Sequence, residues 1–135
     1  TAANQMPPQA PTETTIPDEP VSSKEPATLV PEGTDLKQYC EKYYSAWQKG
    51  DWQTAYDLQP LSKKKDKTLD DFSQSLQGYG MTSYVVGDPK ISGNSGTVGV
   101  NLDLGQNGIW KTNWTFVKND KGQWTVFNSI TSPIQ

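Results

Sequence analysis

The stretch Tyr43-Tyr44-Ser45-Ala46-Trp47-Gln48-Lys49-Gly50-Asp51-Trp52-Gln53-Thr54-Ala55-Tyr56-Asp57-Leu58 decides the fold. It reads as the end of one amphipathic helix, a Gly stop, an Asp restart and a second short helix with its own aromatic stripe. Two helices therefore fold back on each other at Gly50-Asp51. Upstream, Asp35 with Gln38 three residues on is a capping-box variant, and Leu36, Tyr39/Cys40, Tyr43 and Ala46/Trp47 recur at helical spacing. Downstream, Pro60 blocks continuation and Lys63-Lys64-Lys65-Asp66-Lys67 reads as a polar link. Thr68 with Asp71 then opens a third helix carrying Leu69, Phe72 and Leu76, closed by Gly78 or Gly80.

From Met81 the period changes from helical to alternating. Tyr84-Val85-Val86 lies in a first strand that ends near Asp88-Pro89 or runs on to Ile91. Val98, Val100, Leu102 and Leu104 share one face of a second. Trp110, Thr112, Trp114 and Phe116 share a face of a third, and Trp124, Val126, Asn128 and Ile130 a face of a fourth. The links Gly93–Gly96, Gly105–Gly108 and Asn119–Gly122 are rich in residues that tolerate positive φ, so the strands form a meander. The fold class is α+β: three helices packed on one face of a curved four-stranded antiparallel sheet.

Composition divides the chain. Seven of the ten prolines precede position 32, while all fourteen Phe, Trp and Tyr residues fall at or after Tyr39. Residues 1–33 cannot bury enough apolar surface to offset the entropy of ordering and are expected to be a disordered Pro/Thr/Glu-rich spacer; residues 34–135 form the domain. The spacer holds Glu13, Asp18, Glu19, Glu25 and Glu32 against Lys24, a net of −4; subtracted from the chain's −3, this leaves +1 for the domain. Such a domain has no concentrated basic face, which excludes a nucleic-acid partner.

Every basic residue is Lys, and His is absent. The side chains best suited to proton transfer near neutrality and to bidentate recognition of phosphate are both missing. Cys40, the single cysteine, can form neither an intrachain disulfide nor a thiolate zinc site, and its place on an apolar helix face reads as a buried thiol. No apolar run is long enough for a transmembrane span. A flexible tail ahead of a small domain suits an exported protein trimmed from a longer precursor.

The order of elements and the motif Tyr44-x-x-Trp47-x-x-Gly50-Asp51-x-x-x-Ala55-Tyr56-x-Leu58 resemble the nuclear transport factor 2-like superfamily. The nearest likeness is to the non-catalytic N-terminal domain of penicillin-binding transpeptidases and to stand-alone lipoproteins of the same superfamily. Gly122-Gln123-Trp124-Thr125-Val126 is similar to the last hairpin of those domains. The resemblance covers about Asp35 to Ile134 and implies a curved sheet wrapped around helices as a cone. It implies a non-enzymatic binding or accessory domain with no cofactor, located extracytoplasmically in a bacterial envelope, secreted or anchored as a lipoprotein.

On this reading the aromatic series Tyr43, Trp47, Tyr56, Trp110, Trp114 and Trp124 either fills the core or lines an apolar pocket at the mouth of the cone. The pocket would take an apolar or sugar-like small ligand or a peptide. The alternative is a small enzyme of the ketosteroid-isomerase or dehydratase type, for which an Asp base and a Tyr donor suffice; that isomerase is a standard instance of the chemistry. Its candidate parts are Asp103 and Asp57 with Tyr43, Tyr56 or Tyr84. The lysine cluster at 63–67 reads as a solvated loop or a contact with an anionic wall polymer or membrane surface. Asp66, Asp70 and Asp71 lack the spacing of a calcium loop. Further partners are an envelope protein, or a second copy meeting an outward apolar patch of Ile109, Val117 and Phe127 to form a homodimer.

Overall fold

A computed structural model of the chain describes residues 22, 24 and 27–133. The helical corner forms as the sequence dictates. Helix α1 (Leu36–Lys49) opens on a reciprocal capping box, in which Gln38 N donates to Asp35 Oδ1 at 2.7 Å and Asp35 N to Gln38 Oε1 at 3.2 Å. It closes at Gly50, whose φ of 76° is open to glycine at little cost. Asp51 then caps α2 (Trp52–Asp57), its carboxylate accepting from Thr54 N at 3.4 Å and from Thr54 Oγ1 at 2.8 Å. Asp51→Ala leaves those donors without a cap and is expected to cost about 1 kcal/mol. A urea midpoint that falls with an unchanged slope checks this; an unmoved midpoint would mean that packing alone holds the corner.

The fold class is a mixed α+β domain, with helices held against a curled antiparallel sheet shaped as a half-barrel. Among the described residues there are four helices and six strands, where three and four were expected. The additional helix is α3 (Leu61–Asp66), in the stretch read as a polar link. Pro60 both ends α2 and begins α3: it sits at the N-cap, where no helical N–H is required, and its carbonyl accepts from Lys63 N and Lys64 N. Helix α4 (Leu69–Tyr79) starts at Thr68, whose Oγ1 accepts from Asp71 N, and ends at Gly80.

The first predicted strand is divided. β2 (Ser83–Val86) and β3 (Lys90–Ser92) pair with opposite ends of β4 (Ser95–Asp103), separated by Gly87-Asp88-Pro89. β4 pairs with β5 (Ile109–Lys118), and β5 with β6 (Trp124–Pro133). The sixth strand, β1 (Thr28–Leu29), adds to the outer edge of β6 opposite Val126 and Thr125. It lies inside the expected spacer, most of which falls outside the described residues. Val30 beside it is buried in the core, and Thr28 Oγ1 donates to the Gln59 carbonyl at 2.9 Å. The domain therefore takes in the chain from Thr28, six residues before the expected boundary.

Helix α1 lies across the concave face of the sheet. Tyr39 stands edge-on to Trp114 and Phe116, with ring centroids 6.4 and 5.7 Å away. Close approach depends on Gly96 of β4: a Cβ there would lie 2.8 Å from Leu36 Cδ1. Cys40 is buried against the same layer, and burial pushes its thiol pKa up.

A bulge changes which side chains β6 presents. Thr115 pairs with Asn128 but Phe116 pairs with Val126, which leaves Phe127 as the extra residue. Trp124 and Val126 share the concave face as expected; beyond the bulge Ser129 and Thr131 take that face, and Asn128 and Ile130 do not. The proposed outward patch does not assemble either. Val117 is fully buried, and Ile109 stands at the other end of the same ten-residue strand, roughly 26 Å away.

Candidate functional site

The concave face is not filled along its whole length. Around Phe116 and Val126, large side chains meet α1 directly; further along, β5 and β6 offer Thr112, Ser129 and Thr131. These short side chains face α1, α2 and α4 across a cavity of about 320 Å3. That volume lies at the lower end for small-molecule sites.

The walls are largely aromatic. Tyr43, Tyr44 and Trp47 enter from α1, Tyr56 from α2, Phe72 and Tyr79 from α4. The rings brace one another: Tyr44 stacks on Trp47 at 5.8 Å, Tyr43 meets Trp114 edge-on at 5.0 Å, and Tyr56 meets Phe72 at 5.4 Å. Polar atoms of the rings are also held. Trp114 Nε1 donates to Tyr44 Oη at 3.0 Å, and Tyr56 Oη lies 2.9 and 2.6 Å from the carbonyls of Lys64 and Lys67. The Tyr56 contact ties α2 to the lysine segment.

Two polar pairs stand in the wall. Gln59 Nε2 donates to Tyr43 Oη at 2.6 Å. A phenol and a carboxamide that share one bond retain a spare donor whichever way the amide is turned: the phenol proton, or an amide N–H. On the opposite wall the hydroxyls of Thr112 and Thr131 are hydrogen-bonded to each other at 2.8 Å. Burial raises the pKa of Tyr43, and of Tyr44 despite hydrogen bonds with Thr112 and Trp114 that act the other way. Both phenols are therefore neutral donors and acceptors through the physiological range.

Lys63 and Lys67, both exposed, mark the rim. No carboxylate is found among the described residues that line the cavity. Asp57 is exposed at the end of α2, where its Oδ1 accepts from Gln53 Nε2, and Asp103 on the outer side of β4 accepts from Gly105 N at 2.9 Å. Among the described residues no group of three or more His, Cys, Asp or Glu could hold a metal ion. The arrangement is suited to enclosing an apolar body and giving it one or two hydrogen bonds.

Of the six aromatic residues singled out in the sequence, the cavity brings together Tyr43, Trp47, Tyr56 and Trp114. Trp110 and Trp124 lie outside its lining. Trp110 sits towards one end of the sheet, its Nε1 bonded to the Asn107 carbonyl; Trp124 lies at the other end under the Lys118 ammonium, 5.1 Å from the ring centroid. Sequence reasoning missed Tyr44, Gln59, Thr112, Ser129 and Thr131 as lining residues. Tyr44 could have been found, since it adjoins Tyr43 at the edge of the apolar stripe. Ser129 and Thr131 could not, because their facing depends on the bulge.

Among the described residues no helix is long and apolar enough to cross a membrane. No protein-family model and no curated protein matches the chain. A solved structure described as a "known function protein" from Kribbella flavida DSM 17836 is similar at 12% identity and a TM-score of 0.41, over 70% of this chain and 84% of that one. A likeness of that extent is too slight to transfer a fold or a role.

Proposed function

We propose that this domain is a non-enzymatic binding module that takes a small ligand with an apolar body into the cavity between α1, α2, α4 and the curled sheet. One observation carries the reading: an aromatic-walled space of about 320 Å3 that includes a spare buried donor at Tyr43–Gln59 and no carboxylate among its described lining residues. The isomerase- or dehydratase-like alternative requires a carboxylate within reach of a Tyr hydroxyl inside the cavity, and Asp57 and Asp103 stand elsewhere. Membership of the nuclear transport factor 2-like superfamily accords with helices enclosed by a curled antiparallel sheet. An extracytoplasmic setting on a flexible tether accords with the Pro/Thr/Glu-rich first third of the sequence.

Trp47 and Trp114 in the wall provide an intrinsic reporter. Titration with octanol or benzyl alcohol is expected to change tryptophan fluorescence saturably and to raise Tm. At tenfold excess over Kd the stabilisation is about 1.4 kcal/mol, several degrees for a domain of this size. A fluorescence signal and a Tm that stay unchanged with both probes would overturn the reading.

A further inference from the structure

We infer that the cavity selects amphipathic anions: molecules whose apolar body lies among the rings and whose acidic group meets Lys67 at the rim. The inference rests on the binding role proposed above and specifies the ligand's charge. Its basis is an asymmetry between the two ends of the cavity. At the floor stand buried groups that carry no charge: Tyr44, Trp114, Leu102 and Leu104. At the rim stands the ammonium group of Lys67, and the described lining contributes no acid to offset it.

Lys67 is held in place without being neutralised. Its Nζ donates to Ser75 Oγ at 3.0 Å, and Ser75 Oγ donates in turn to the Asp71 carbonyl at 2.9 Å. Both partners are neutral, and among the described residues Lys67 makes no ion pair. Its backbone is pinned as well, by the Tyr56 hydroxyl against the Lys67 carbonyl. An ammonium fixed beside an apolar cavity retains two further N–H donors for an incoming carboxylate, sulfate or phosphate monoester. A neutral ligand of the same shape leaves those two donors to solvent.

Octanoate and octanol separate charge from shape, since they share a chain and differ in the head group. By calorimetry at neutral pH and low salt, octanoate is expected to bind about fivefold more tightly, the upper range for a largely exposed ion pair. Lys67→Gln should remove that advantage, weakening octanoate about fivefold and octanol far less, and raised salt should weaken octanoate alone. Ser129→Phe, which fills the cavity, should abolish both; Thr131→Leu serves the same purpose with less bulk if circular dichroism shows the first variant unfolded. Equal affinities that Lys67→Gln does not alter would overturn the anion preference while leaving the binding role intact. Failure of both probes to bind would overturn the binding role itself, and binding that persists in the filled, folded variants would place the site elsewhere.

Discussion

Replacing Trp114 by alanine is expected to lower the stability of the domain by about 4 kcal/mol, the upper range for loss of a large buried aromatic. The residue is 1% exposed and stands where every layer meets. It takes edges from Tyr39, Tyr43 and Tyr44, and stacks on Phe116 with centroids 6.2 Å apart. Its indole N–H also donates to Tyr44 Oη, so the truncation removes a hydrogen-bond donor from a buried phenol as well as opening a void. Four braced rings cannot readily collapse into the gap, which is why the cavity contribution should be nearly complete. Trp110→Ala provides the contrast, since that ring is only partly buried at the end of the sheet and should cost roughly half as much or less. Urea unfolding followed by circular dichroism measures both. A loss below about 2 kcal/mol at Trp114 would show that the sheet closes over the vacancy.

Stability is expected to hold steady from neutrality to about pH 8, to decline from there and to fall steeply above about pH 10, with cooperative unfolding by about pH 11 to 12. Tyr39, Tyr43, Tyr44 and Cys40 all have pKa values raised chiefly by burial. In the unfolded chain a thiol titrates near about 8.5 and a phenol near about 10. Above those values the unfolded state sheds protons that the native state retains. It then binds fewer protons than the native state, so stability decreases as pH rises, by about 1.4 kcal/mol per unit for each group once it is fully past its unfolded pKa. Together the four remove about 4 kcal/mol between pH 10 and 11, a large part of the usual stability of a small domain. The signature is simultaneity: the tyrosinate absorbance of Tyr39, Tyr43 and Tyr44 should appear together with the loss of circular dichroism. Smooth titration of all the tyrosines in an intact fold would contradict the burial of the α1 phenols.

The helical corner and the meander were legible because their signals are local. Gly50, Asp51 and the Asp35–Gln38 pair each specify a backbone state within four residues, and the alternation through Val98–Leu104 specifies a face. Helix α3 was not legible, because Pro60 was read only as a stop when the same geometry also begins a helix. β1 is two residues long and draws its partner from a strand almost a hundred positions away, so nothing nearby in the sequence announces it. The site shows the same division. Periodicity correctly placed Tyr43, Trp47, Tyr56 and Trp114 on inward faces, and the cavity gathers them. It could not say how far along a strand the cavity extends, which is why Trp110 and Trp124 were grouped with them. Gln59 was passed over because a carboxamide next to a proline looks like loop, and only the approach of Tyr43 turns it into wall.

The bulge at Phe127 makes the chemistry of one cavity wall a matter of strand register. Regular pairing at the same chain length, continued from Phe116–Val126, would set Asn128 opposite Trp114 and Ile130 opposite Thr112, bringing an amide and an isoleucine to the concave face in place of the hydroxyls of Ser129 and Thr131. A one-residue slip in register can therefore exchange a hydroxyl-bearing wall for a bulkier one while every residue keeps its identity. Relatives of this domain that pair the last strand without a bulge should present a different cavity wall even where all their aromatic residues coincide. In comparing such proteins, the pairing of the last strand is as informative as the residues that occupy it.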